Sequence, residues 1–305
     1  MATINFGDVA FSGLKLLTRR PLSALVWSLV FVTFLTLMFV SIGGALLNFL
    51  STSGATGSAA GFNPGMLLRS LGAFLGYYFL FLLGAMVIGA VVQGAIYRSV
   101  LTPDDVEFAA MRLGGQELWL MLLAFVMSIL MMVLQLVLSI PQIIIVAMLS
   151  LQSPQLALSV RLVMQLVTYG VVIWVSLRLS LAAPMTFAEH KLRIFESWEL
   201  TRGHTLSLVG VGLLIGMICG ALYLVLAIVG IAGGLSIWHS IPHPENLAIF
   251  LQDPRHWLAN FEGLVLFVGA LILIGGTVVT PVAIAPWMEF YRRLRPESDV
   301  ASVFN

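Results

Sequence analysis

Arg178 is the residue whose type and position most invite chemistry. It stands in an otherwise apolar stretch, seven residues before Met185, or roughly 10 Å along a helix axis from the charged end of that stretch. An unpaired guanidinium at such depth costs about 2.5 kcal/mol or more. Two ways of meeting that cost are open. The side chain can snorkel, or pair with Glu189, Glu199 or Glu289 as a structural ion pair. Alternatively it can face a cavity and hold a small anion or a lipid phosphate, which its planar fork of donors suits. His239, His243 and His256, with Glu245 or Asp253, offer metal-ligand types. Pro242 and Pro244 interrupt the spacing that would put two rings on one helix face, so these are read as polar loop residues and no metal or cofactor is expected. No His-Glu-x-x-His, phosphate loop or nucleophile elbow occurs. The expectation is therefore a non-enzymatic protein.

The elements that must carry these residues follow from composition. Of 305 residues, 60% are hydrophobic and 10% charged, and mean hydropathy is +1.03. A soluble domain carries roughly 25% charged residues and needs a partly polar surface, so a soluble enzyme is excluded. A net charge of +1 gives no broad basic face for nucleic acid. The single cysteine, Cys219, excludes an intramolecular disulfide. The first residues carry Asp8 and no cleavage-site pattern, so no removed signal peptide is expected.

Asp, Glu, Lys and Arg are missing over 21–68, 70–97, 118–160, 203–244 and 263–288. A helix needs about 20 apolar residues to cross hydrocarbon. The pattern predicts six spans, at 22–49, 70–96, 118–149, 162–187, 206–235 and 264–288, with the third kinked near Pro141 rather than split. Twelve of the fifteen Lys and Arg fall on the side of both termini and three on the other, so the termini are expected in the cytoplasm. Tyr97, Trp119, Trp198, Trp287 and Tyr291 are expected in an aromatic belt on that side. In the fifth span Gly212, Gly216 and Gly220 form a small-residue stripe, read as a helix-packing surface within the chain, with a fainter copy at Gly72 and Gly76.

The chain also reads as three repeats, over 6–103, 104–190 and 191–295, followed by a short cytoplasmic tail over 296–305. Phe11-Ser-Gly-Leu-Lys-Leu16 aligns with Phe108-Ala-Ala-Met-Arg-Leu113 and with Phe195-Glu-Ser-Trp-Glu-Leu200. Each such segment has the spacing of a helix lying in the headgroup layer. The fold class expected is thus an all-α integral membrane protein: six transmembrane helices as three helical hairpins, each preceded by a short cytoplasmic interfacial helix.

Arg178, Pro184, Glu189, Ser197, Trp198, Leu200, Thr201 and Gly203 carry a further signal. The pattern resembles the bacterial membrane domain attached to membrane-type glycerophosphoryl diester phosphodiesterases, and its small standalone six-span relatives. It covers about 30 residues closely and the six-span layout loosely. No catalytic domain is expected past Asn305, so the resemblance implies a shared membrane fold in the cytoplasmic (inner) membrane and does not imply hydrolysis. The candidate anion or structural cluster is Arg178, Glu189, Trp198, Arg202 and Gly203. The partners expected are membrane lipids and other inner-membrane proteins. The leading expectation is a scaffold or accessory in envelope lipid handling. The alternative is a transporter or channel-like protein for a small or lipidic anion, with Arg178 as counter-charge.

Overall fold

A computed structural model describes residues 6–52, 64–102, 109–203, 205–240 and 262–294. Among these, regular structure is entirely helical: α1 (Phe6–Ala10), α2 (Ser12–Arg19), α3 (Pro21–Thr52), α4 (Pro64–Leu101), α5 (Gly115–Ser150), α6 (Pro154–Arg178), α7 (Ala182–Glu189), α8 (Ile194–Leu200), α9 (Thr205–Ser240) and α10 (Glu262–Leu294). Six helical stretches are long and apolar enough to cross a bilayer: α3, α4, α5, α6 continued by α7, α9 and α10. The chain is a multi-pass membrane protein. Backbone groups in hydrocarbon must bond within their own segment, and a helix does this whatever the side chains.

The helices overrun the predicted spans. α4, for example, starts at Pro64 and ends at Leu101, because a helix continues into the headgroup layer while its side chains turn polar. α5 passes Pro141 as one helix. The fourth span differs most from expectation. α6 starts at Pro154, with the Ser153 hydroxyl accepting from the Leu156 amide, and stops at Arg178. Pro184 falls in the first turn of the next helix, where its missing amide leaves no intrahelical bond unmade. The chain makes a turn at Leu179–Leu181 and restarts as α7. Arg178 is therefore the last residue of α6, while the membrane-capable stretch continues past it through α7.

Consecutive long helices pack on each other, α3 on α4, α5 on α6 and α9 on α10. The last helix is central: α10 also touches α1, α2, α3, α4 and α7. The buried side chains concentrate where α3, α5 and α9 begin and α4, α6 and α10 finish. One cluster joins Val9, Tyr97, Leu120, Phe187, Leu208, Met288 and Phe290, and a second joins Leu16, Trp27, Ile96 and Ala285. This is also the end that carries Lys15, Arg98, Arg112, Arg178, Arg193 and Arg292. Towards the other end large apolar side chains are exposed, among them Val137, Ile143, Leu166 and Ile231. Lipid is the solvent that such a surface requires.

Close approach at the packed end depends on glycine. A Cβ on Gly13 would stand 2.5 Å from both the Pro281 carbonyl oxygen and the Val282 Cα. α2 thus lies directly on the backbone of α10. A Cβ on Gly276 would likewise stand 2.5 Å from the Ser28 hydroxyl, which donates to the Leu273 carbonyl at 2.8 Å and ties α3 to α10.

The three aligned segments do not share one conformation. The first falls in α2 and the third in α8, but Ala109 and Ala110 have φ of 60° and 47°, and the chain is not helical from there to Gly114. Outside donors hold this turn. Trp27 Nε1 donates to the Ala109 carbonyl at 2.7 Å, and Arg98 donates to the Ala110 carbonyl. Carbonyls engaged in this way are not available to a helix.

Candidate functional site at the charged end

Arg178 is clasped rather than ion-paired. Its guanidinium carbon lies 5.8 Å from the centre of the Trp174 ring and 5.6 Å from that of Trp198, and the two indoles meet edge to face at 5.0 Å. Ring faces attract a cation, by about 0.5–2 kcal/mol each. Nη1 donates to the Thr201 hydroxyl at 3.5 Å. Among the described residues no carboxylate lies within salt-bridge distance of Arg178. Its carbonyl, left open by the end of α6, accepts from the Ser197 hydroxyl at 3.0 Å. Ser197 is fully buried, so α8 acts as the cap of α6.

The rest of the expected cluster disperses. Glu189 does not meet Arg178; it accepts from the Tyr291 hydroxyl at 3.0 Å and pairs with Arg193 at 2.5 Å. Glu289 pairs with Arg292 at 2.9 Å and Arg293 at 2.8 Å. Arg202 is exposed in the turn after α8, and Gly203 follows with φ of 97°, a conformation that favours glycine. Arg178 and Trp198 are thus brought together, while Glu189, Arg202 and Gly203 build other parts of the same end.

The glycine stripe divides in the same way. Gly212 faces Leu177 of α6 at 3.0 Å and Trp287 of α10 at 3.7 Å, measured from where a Cβ would stand. Gly216 and Gly220 are exposed with nothing within 4 Å, as are Gly72 and Gly76. Of the three, only Gly212, two turns into α9, has neighbouring helices within 4 Å of where a Cβ would stand. His239 lies in the last turn of α9 with its side chain outside the description, and His243 and His256 fall outside the described residues. Among the described residues no group of three metal-ligating side chains occurs.

A buried ion pair was missed by reading spans alone. Arg98, near the end of α4, pairs with Glu117 in the first turn of α5, their side chains 14% and 2% exposed. Glu117 also accepts from the Gly114 amide at 2.9 Å, the reciprocal half of a helix-start cap. The Arg98 guanidinium stands 5.8 Å from the Phe187 ring centre. Gly114-Gly115-Gln116-Glu117 was the available signal: a carboxylate at the third residue of a helix start, one loop away from an arginine. Tyr97 and Tyr291, expected in an interfacial belt, are instead buried, because protein groups satisfy their hydroxyls. Gln93 donates to Tyr97 at 2.7 Å, and Tyr291 donates to Glu189.

Among the described residues, two cavities open at this end. One, about 560 Å³, lies beside the Arg98–Glu117 pair and reaches Gln116 and His190, whose side-chain nitrogens are 2.7 Å apart. The other, about 640 Å³, lies between α2 and the last turn of α10. Arg178 lines neither. Within the spans, the polar groups link helices or close on their own: Gln142 of α5 donates to Gln165 of α6 at 3.1 Å, and Thr277 donates to the Leu273 carbonyl at 2.7 Å. No family model, curated protein or solved structure matches the chain.

Proposed function

We propose that this chain is a non-enzymatic protein of the bacterial inner membrane, a scaffold or accessory in envelope lipid handling. In this reading the six spans form three hairpins, both termini and the charged end face the cytoplasm, and α2 and α8 lie at headgroup level. One observation carries it. Arg178, the side chain best suited to serve as a counter-charge, rests against two adjoining indoles at the end of α6, with Nη1 on the Thr201 hydroxyl and no carboxylate beside it among the described residues. Its Nη1 reaches Thr201 and its carbonyl accepts from Ser197, contacts that hold α8 against α6, which is a structural use. The resemblance of the Arg178–Gly203 segment to phosphodiesterase-linked membrane domains fits a role beside lipid chemistry without performing it.

The test is purification of the native protein from its membrane, with identification of co-purifying lipids and proteins, alongside anion flux in reconstituted vesicles. A recurrent protein or lipid partner and no flux above empty vesicles are expected. Arg178→Leu is expected to fold, with a loss of about 1–4 kcal/mol from the two ring contacts. Flux in the native protein that disappears in a folded Arg178→Leu variant would replace this reading with anion transport.

A further inference from the structure

The crevice between α2 and α10 has the makings of an anion site. Ser12, Lys15 and Arg19 fall three and four residues apart and so share one face of α2. Arg292 and Arg293 approach from α10, both tied to Glu289. The walls carry five Lys and Arg against two carboxylates, a formal +3. Three helices, α2, α4 and α10, end here, and each C-terminus contributes about half a negative charge. Roughly +1.5 therefore remains after the dipoles are met. The Lys15–Asp8 pair spans 3.5 Å between side chains that are 59% and 52% exposed, so it holds little of that charge. Arg19 has no ion-pair partner among the described residues. The Ser12 hydroxyl is screened from solvent and has no hydrogen-bond partner.

A free guanidinium, a loosely held ammonium, two fixed guanidinium groups and an unused hydroxyl are the donors that a tetrahedral oxyanion takes. The cavity also sits where α10 leaves its apolar stretch, at the level expected of headgroups. We propose that this crevice binds a phosphate-bearing anion, supplied either by an anionic lipid headgroup or by free phosphate. Gly13 creates the site, because it lets α2 settle on the α10 backbone and brings Lys15 and Arg19 opposite Arg292 and Arg293. The proposal rests on the reading of the charged end as the headgroup-level face of a membrane protein.

The full chain, in nanodiscs of phosphatidylcholine with a minor fraction of phosphatidylglycerol, is extracted into detergent and its retained lipids are weighed by native mass spectrometry. Phosphatidylglycerol is expected to be retained over phosphatidylcholine. The Lys15→Gln/Arg19→Gln double variant is expected to lose about thirtyfold in that retention, taking each cation at about 1 kcal/mol. Lys191→Gln, an exposed cation on the same face, is expected to lose little. In a second arm, inorganic phosphate is titrated calorimetrically into lipid-stripped protein. Phosphate binding that vanishes in the double variant makes the free anion the ligand and upholds the site. Phosphatidylglycerol retention without phosphate binding makes it the lipid. Equal losses in the double variant and Lys191→Gln, or no preference in the native chain in either arm, would overturn the proposal. Anion flux with lipid retention intact would remove the scaffold reading and leave this site standing.

Discussion

Glu117, almost wholly buried, faces an Arg98 side chain that is only 14% exposed, and each charge depends on the other. Breaking a buried pair by removing one partner leaves an uncompensated charge and costs about 3–5 kcal/mol. Glu117→Ala should therefore lower the thermal unfolding midpoint of the detergent-solubilised protein sharply, whereas Glu199→Ala, at an exposed position on α8, should change stability by less than about 0.5 kcal/mol. Similar midpoints for the two variants would show that Arg98 finds other support. Arg178 was legible in the sequence as the charge needing an explanation, but its partners were not. Its clasp pairs Trp174, one turn earlier on α6, with Trp198, twenty residues later on α8, and that meeting exists only once α6 stops and the chain turns back. Glu189 illustrates the converse. It was one of three carboxylates offered to Arg178, yet its partners are Arg193, four residues on, and Tyr291 of α10, 102 residues away.

At the scale of elements, α2 is the piece most exposed to a single substitution. Its seat on α10 has no room for even a methyl group at position 13. Gly13→Ala is expected to cost about 1–3 kcal/mol through overpacking and to raise amide exchange over Ser12–Arg19 while leaving α5 and α6, which pack chiefly on each other, protected. Unchanged exchange in α2 would mean that α10 yields instead. The long helices were legible because a continuous apolar run has one solution in hydrocarbon. Their ends were less so, since a helix can outlast its apolar run. The repeat predicted a helix at Ala109–Leu113, where the structure has a left-handed turn. Local spacing could not foresee this, because the turn is held by Trp27 and Arg98 from two other helices.

At the scale of the whole molecule, the proposed orientation makes Thr18, at the end of α2, and Gln152, between α5 and α6, face opposite sides of the membrane; both are exposed. In a Cys219→Ser background, a membrane-impermeant maleimide added to intact spheroplasts should label Gln152→Cys at once and Thr18→Cys only after permeabilisation. The reverse pattern would invert the molecule, and labelling of both from outside would break the six-span count. Six membrane-capable helices were legible from charge gaps alone; the central place of α10 was not, since nothing in an apolar run states which neighbours it will have. That central place has a consequence for how the protein is made. Synthesis delivers α1 and α2 first and their seat on α10 last, so residue 13 waits for residues 281 and 282 to leave the ribosome and enter the bilayer. Joining chain ends so far apart carries a closure cost that only the finished packing repays. The amino-terminal clasp is thus the final latch of assembly, and a nascent chain stopped before its sixth helix keeps that latch open.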